Sequence, residues 1–411
     1  MELAWTLVIL SAIVLISYLF DLASKRLRIP SVVLLIVSGM LARVATDSAG
    51  FILPLSPQLL PVLGTFGLLL IVLEGALDLE LSRNKTGLIS RSFASAAAGL
   101  LVTALLCSLL LQSFFGVAPL TAWIVATPFA VISSAVAIPA AGSLPPRLRE
   151  FVVYESSFSD ILGVLLFYAL ISSNGNFADT ALQSVFSAGI SALVGVFAAL
   201  LLYALIKHID THVRYLPMIF GIALLYGIGK LLHLAPLVMV LLVGLLLNNN
   251  RWMGRLPLLD RGNQAEFDEE LDNLKHLTAE FTFVVRTFFF VLLGYSIRLA
   301  ELLDPLAWGI AIAIVACGLL PRLLLMRFIA RGNIEPLLWF APRGLITVLL
   351  FLGIPASMQI TDFPFASVML VVLIWAGLLT LGLVRAPAQA KTTEAATPVS
   401  STPAMPTETP S

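Results

Sequence analysis

Thr127-Pro128-Phe129-Ala130-Val131-Ile132-Ser133-Ser134-Ala135-Val136-Ala137-Ile138-Pro139 lies in the middle of an apolar run, 120–142, long enough to cross a bilayer. A spanning helix needs about 20 apolar residues, yet this one carries two prolines and a serine pair at its centre. Proline removes an intrahelical hydrogen bond, and adjacent serines make unwinding cheaper. Inside hydrocarbon, unwound backbone is tolerated only where protein or a water-lined cavity covers it. The stretch therefore predicts a discontinuous membrane helix built around a binding site.

Working outward, the same length criterion finds thirteen segments: 3–20, 30–46, 59–79, 88–113, 120–142, 149–172, 180–207, 214–231, 234–248, 274–297, 303–328, 333–355 and 363–384. They divide as six, a linker helix, and six. An odd number of crossings separates the halves and inverts one against the other, a common plan of secondary transporters. Helix five then corresponds to helix twelve, which is also interrupted, by Pro342, Arg343 and Gly344. The expectation is an all-α polytopic membrane protein with two inverted six-helix repeats and discontinuous helices five and twelve. Matched interruptions of this kind point to a site at the membrane midplane.

Composition agrees with a membrane solvent. Of 411 residues, 59% are hydrophobic and 12% charged, with a mean hydropathy of +1.00; soluble domains carry about 25% charged residues. Zero net charge gives no bulk attraction to nucleic acid. The start, Met1-Glu2-Leu3-Ala4-Trp5, lacks a positive region ahead of the first apolar run, so 3–20 reads as a retained helix and not a cleaved signal peptide. The Pro-, Thr-, Ala- and Ser-rich stretch 386–411 reads as a disordered cytoplasmic tail.

Basic residues test the helix count independently. Of the 24 lysines and arginines, those at or beyond the far ends of even-numbered helices are Arg43, Lys230 and Arg298, and those well inside segments are Arg286, Arg322 and Arg343. All the others fall on the opposite side. A one-helix error would scramble this alternation, and the positive-inside rule places the amino terminus outside and the carboxyl terminus in the cytoplasm of a bacterial inner membrane. The connection 249–273, with Asp260, Glu266, Asp268, Glu269, Glu270 and Asp272, reads as a solvated cytoplasmic loop or surface helix, with regulation as the second reading.

The chemistry must come from ionisable groups held at membrane depth, where each costs about 2.5–3.5 kcal/mol on insertion scales. Seven fall well inside segments, five or more residues from either end: Glu74, Glu155, Asp160, Glu280, Arg286, Arg322 and Arg343. Asp160 follows directly on the broken fifth helix. Its carboxylate, with the hydroxyls of Ser133, Ser134, Ser156 and Ser159 and unwound backbone carbonyls, is the expected ligand set for a monovalent cation. A lone carboxylate in such a site holds either a proton or a cation, and competition between them suffices for exchange. Glu155 projects about 140° around the helix from Asp160, and Arg322 on helix eleven is its expected structural partner. Arg343 offsets the carbonyl ends at the second break. Glu74 and a Glu280/Arg286 couple stay open between bundle-stabilising pairs and ion-pathway groups.

Other classes find little here. Cys107 and Cys317 sit in apolar runs and read as small hydrophobes in helix packing. His208, His212, His233 and His276 fall at or near helix ends, and there is no HExxH, CxxC, nucleotide-binding glycine loop or serine-nucleophile motif. No enzyme and no cofactor is expected.

These runs resemble the monovalent cation–proton antiporter superfamily, most like its electroneutral sodium/proton exchanger branch. Glu155-Ser156-Ser157-Phe158-Ser159-Asp160 is similar to the Glu-Ser-x-x-Asn-Asp signature whose last Asp binds the cation. Ala341-Pro342-Arg343-Gly344 is similar to the Arg-Gly motif of the second broken helix, Pro321-Arg322 to the arginine that pairs with the signature Glu, and Phe288-Phe289-Phe290 through Gly294 to an aromatic-rich stretch. The resemblance covers about residues 5–385. It implies core transport helices at 88–172 and 303–385, scaffold and dimerisation helices at 1–87 and 180–297, a homodimer, and elevator-like alternating access. Two positions depart: Ser133-Ser134-Ala135 stands where Thr-Asp-Pro is usual, and Ser159 where Asn is usual.

One exchangeable carboxylate beside a permanently charged arginine predicts electroneutral exchange of one proton for one cation, Na⁺ first, with K⁺ or Li⁺ as alternatives. A potassium-efflux or sodium-coupled transporter is the alternative within transport. A non-transporting membrane sensor is the alternative from another class.

Overall fold

Apolar runs of membrane length satisfy their own backbone by coiling into helices, and the computed structural model of the chain is helical throughout its regular structure, with no strand among the described residues. It describes residues 2–27, 29–48, 59–80, 85–142, 144–173, 177–208, 215–232, 234–250, 264–329 and 335–385. The tail at 386–411 lies outside them.

The elements in order are α1 (Glu2–Leu27), α2 (Ser31–Ser48), α3 (Leu59–Asp78), α4 (Thr86–Phe115), α5 (Pro119–Ala130), α6 (Ser134–Ala141), α7 (Pro146–Ile171), α8 (Phe177–His208), α9 (Tyr215–Leu231), α10 (Pro236–Asn248), α11 (Gln264–Ser296), α12 (Pro305–Ile329), α13 (Glu335–Trp339), α14 (Leu345–Leu352) and α15 (Phe365–Arg385). These are the thirteen expected segments, with the fifth split into α5 and α6 and the twelfth into α13 and α14. The first split does not fall on a proline, since Pro128 and Pro139 lie inside α5 and α6; the second, at 340–344, contains Pro342. The helix opens at Val131 and Ser133, both with extended backbone.

One boundary differs from the sequence reading. The connection expected at 249–273 is shorter, because α11 already begins at Gln264. Its first turns place Phe267, Leu271 and Leu274 in the core while Asp268, Glu269 and Asp272 stay exposed. Apolar residues at helical spacing therefore carry the acidic stretch into the helix. Residues 251–263 lie outside the described set.

The helices sort into two bundles. In one, α4 packs on α5, α7 and α12, α6 on α7, and α15 on α12 and α13. In the other, α11 packs on α2 and α3, and α10 on α8, α3 and α9. The α2–α11 crossing is close because a Cβ on Gly39 would lie 2.1 Å from Val291 O, and one on Gly294 2.1 Å from Ile36 O. Small residues let membrane helices approach where lipid supplies no hydrophobic drive. The bundles meet chiefly where α3 touches α14, α7 and α6.

Candidate functional site

The two openings cross at the heart of the first bundle. Ser133 N–H donates to Pro342 O at 2.9 Å, tying one unwound segment to the other. A Cβ on Gly344 would lie 2.8 Å from Val136 Cγ2 and 2.9 Å from Ser133 Oγ, so the approach requires glycine there. Ile132 N–H donates to Ser159 Oγ at 2.9 Å. Buried backbone donors freed by unwinding must find such partners, and here α7 and the second break supply them.

The half-helix ends are matched by charge. Arg343 donates through Nε to Phe129 O near the end of α5 (2.6 Å) and through Nη1 to Ala341 O (3.0 Å), and its guanidinium lies 4.8 Å from the Trp375 ring centre. Arg322 donates to Leu337 O through Nε and Nη2 (3.0 and 2.7 Å) and to Phe340 O (2.9 Å), at the end of α13. Both cations thus sit on carbonyl ends, where a helix carries partial negative charge. At the opposite kind of end, the start of α6, Ser134 N–H donates to Asp160 Oδ2 at 3.1 Å.

Arg322 also grips Glu155, with Nη1 to Oε1 and Nη2 to Oε2 both at 3.0 Å. Ser95 Oγ donates to Glu155 Oε1 at 2.5 Å. Both carboxylate oxygens of Glu155 are thereby engaged. Asp160 differs. It is 3% exposed, its Oδ1 accepts no hydrogen bond, and the Ser133 hydroxyl has no partner either. Among the described residues no cationic side chain lies within ion-pair distance of Asp160.

The remaining serines differ from one another. Ser134 is buried beside Asp160. Ser159 already serves the break as an acceptor. Ser156, one helical turn from Asp160, donates to Val152 O at 2.8 Å and keeps only its lone pairs for a ligand.

The Glu280/Arg286 couple does not form. Six residues apart on α11, they point about 120° away from each other; Glu280 is exposed, and Arg286 Nη1 donates to Ala135 O in α6 at 3.1 Å. Arg286 thereby links the second bundle to the first. Glu74 on α3 lies in its field and beside Thr282. Glu74 also lines a cavity of about 310 Å³ with Asp78, Asp272, Lys275 and His276.

Ser95 and Trp375 are site residues that the sequence reading missed. Nothing local marks either one, since a serine or tryptophan inside an apolar helix is common.

A family model described as sodium/hydrogen exchanger, transmembrane, matches residues 10–385. Among curated proteins no sequence matches the chain. Among solved structures, the chain is similar to the sodium proton antiporter MjNhaP1 from Methanocaldococcus jannaschii at pH 8. The identity is 20% and the TM-score 0.69, covering 94% of this chain and 99% of that one. An electron-microscopy structure of the same antiporter gives 19% identity and a TM-score of 0.67, covering 93% and 99%. At such identities the likeness speaks for the fold.

Proposed function

The chain belongs to the sodium/hydrogen exchanger family of membrane antiporters, and on that premise we propose that Asp160 is the single exchange site, binding either a monovalent cation or a proton. The cation is Na⁺ first, with K⁺ and Li⁺ as competitors. The observation that carries this is that two buried oxygens, Asp160 Oδ1 and the Ser133 hydroxyl on the first of the two crossing breaks, are both without a hydrogen-bond partner. Two polar oxygens buried without partners cost free energy unless a ligand satisfies them. A small cation does so, and so does a proton on the carboxylate.

Exchange follows from one site with two mutually exclusive occupants, exposed in turn to each side. Asp160 takes up either ligand, with Ser133 and the lone pairs of Ser134, Ser156 and Ser159 filling the oxygen shell. Arg322 and Arg343 remain charged throughout and hold the half-helix ends. The cycle then carries one positive charge each way and is electroneutral. The bundle of α4–α7 and α12–α15 is the moving unit, and α1–α3 with α8–α11 are the fixed scaffold and dimer interface. The setting is a bacterial inner membrane, amino terminus outside and carboxyl terminus in the cytoplasm.

The test is proton flux in proteoliposomes driven by Na⁺, K⁺ or Li⁺ gradients. Flux is expected for at least Na⁺, with no response to an imposed membrane potential in the absence of a pH gradient. Potential-driven flux would refute electroneutrality, and unchanged flux in Asp160→Asn would refute the assignment of the site.

A further inference from the structure

The chain has two cysteines in 411 residues, and the fold brings them together. Cys107 lies on α4 and Cys317 on α12, and each thiol is the other's hydrogen-bonding neighbour. The register of the two helices accounts for the meeting. A Cβ on Gly99 of α4 would lie 3.8 Å from Leu325 Cδ1 of α12. Moving from 99 to 107 along α4 and from 325 to 317 along α12 covers the same length in opposite directions, as antiparallel helices in direct contact require. Fully buried Ala104 on α4 and Ala311 on α12 keep the bundle interior small-featured near this level. Both cysteines are free thiols; Cys107 is fully buried and Cys317 half-buried.

We propose that Cys107 and Cys317 form an oxidisable dithiol that hydrogen peroxide closes to a disulfide, stapling α4 to α12 inside the transport bundle. Two thiols already in contact need no helix to separate or slide before a bond forms, and the partner of either sulfur is fixed by the fold. In the first step the accessible Cys317 sulfur attacks a peroxide oxygen. The O–O bond breaks, the displaced hydroxide leaves with the thiol proton as water, and Cys317 becomes a sulfenic acid. In the second step the Cys107 sulfur attacks the Cys317 sulfur. The S–O bond breaks, and hydroxide leaves with the Cys107 proton as a second water. Two thiols and one peroxide thus give one disulfide and two waters. Peroxide is small and uncharged, which suits a pair reached from the half-buried Cys317 side. The staple joins the helices that bring Ser95 and Arg322 onto Glu155. It lies within one bundle and does not cross to the other.

The experiment treats the purified full-length protein with hydrogen peroxide, removes the peroxide with catalase, denatures the chain, and labels free thiols with a polyethylene-glycol maleimide. Wild type is expected to go from two labels to none as a monomer, its intact mass lower by two hydrogens, and dithiothreitol should restore both labels. Cys107→Ser is expected to stop at a Cys317 sulfenic acid trapped by dimedone. The proposal is overturned if wild type keeps two labels, or if its labels are lost only through disulfide-linked dimers. It is equally overturned if Cys107→Ser loses its remaining thiol to a disulfide as fast as wild type does. The wild-type mass and labelling decide the matter even if the variant fails to fold.

Discussion

Arg322 meets Glu155 through two parallel hydrogen bonds of 3.0 Å while its remaining donors reach Leu337 O and Phe340 O. One guanidinium therefore joins α7, α12 and the end of α13. Removing it strands a buried carboxylate and two carbonyls at once. Arg322→Met is expected to cost about 3–5 kcal/mol, the usual effect of breaking a buried pair from one side. The double change with Glu155→Gln should recover part of that loss. Arg322→Lys keeps the charge but not the planar fork and should fall between. Thermal unfolding in detergent ranks the four proteins.

Asp160 is held through Ser134, by its backbone N–H and its side chain, so it contributes little to holding the bundle together. Asp160→Asn keeps the shape and removes the charge that alternates between occupants. Cation-driven proton flux should vanish while the melting temperature stays at or above that of wild type, because an uncharged amide costs less to bury. A melting temperature that falls with the flux would make Asp160 a structural residue.

If cation and proton compete for one carboxylate, acidification changes apparent affinity and leaves the maximal rate alone. The apparent KM for Na⁺ should rise in proportion to proton concentration on the acidic side, with the limiting rate at saturating Na⁺ unchanged. Initial-rate measurements at several pH values on the cation-loading side check this. A falling limiting rate with constant KM would mean that a second group titrates.

Much of this arrangement is readable from the chain because membrane solvent enforces it. Apolar length marks each pass, and an arginine or carboxylate inside one needs a partner or a ligand, which is how Glu155, Arg322, Arg343 and Asp160 stand out. The endpoints of long side chains are another matter. Arg343 finishes on Phe129 O and Arg286 on Ala135 O, and backbone carbonyls carry no residue-specific signal. Proximity in sequence misleads for Glu280 and Arg286, whose separation along α11 turns them to different faces. The acidic start of α11 reads by charge as a solvated loop or surface helix, and as part of the long helix only once Phe267, Leu271 and Leu274 are seen to share a buried face. Ser95 is silent in sequence because its role exists only when α4 lies against α7.

Arg286 is the charged side chain that reaches from α11 to the first turn of α6. Any sliding of the first bundle against the second must break this bond. A hydrogen bond from a charged donor contributes about 1.5–3 kcal/mol, enough to bias which way the site faces by tenfold or more. Arg286→Gln should loosen the observed state, and amide exchange in α6 should speed up without a matching change in α2, on the far side of α11. Equal exchange in the two proteins would remove Arg286 from any part in the conformational balance.

Gly344 tests the crossing itself. A methyl there would lie 2.9 Å from Ser133 Oγ and 2.8 Å from Val136 Cγ2, so Gly344→Ala must push the two breaks apart. Overpacking of this kind costs about 1–3 kcal/mol, and the displaced atoms are those proposed to surround the cation. The expected result is a modest fall in melting temperature with a disproportionate rise in KM for Na⁺. Gly39→Ala is the comparison, because it overpacks α2 against α11, far from Asp160. It should lower stability at least as much, given a 2.1 Å clash with backbone, while leaving KM near that of wild type. If both variants shift KM alike, the defect is general loosening, and the Ser133–Gly344 contact has no special part in holding the cation.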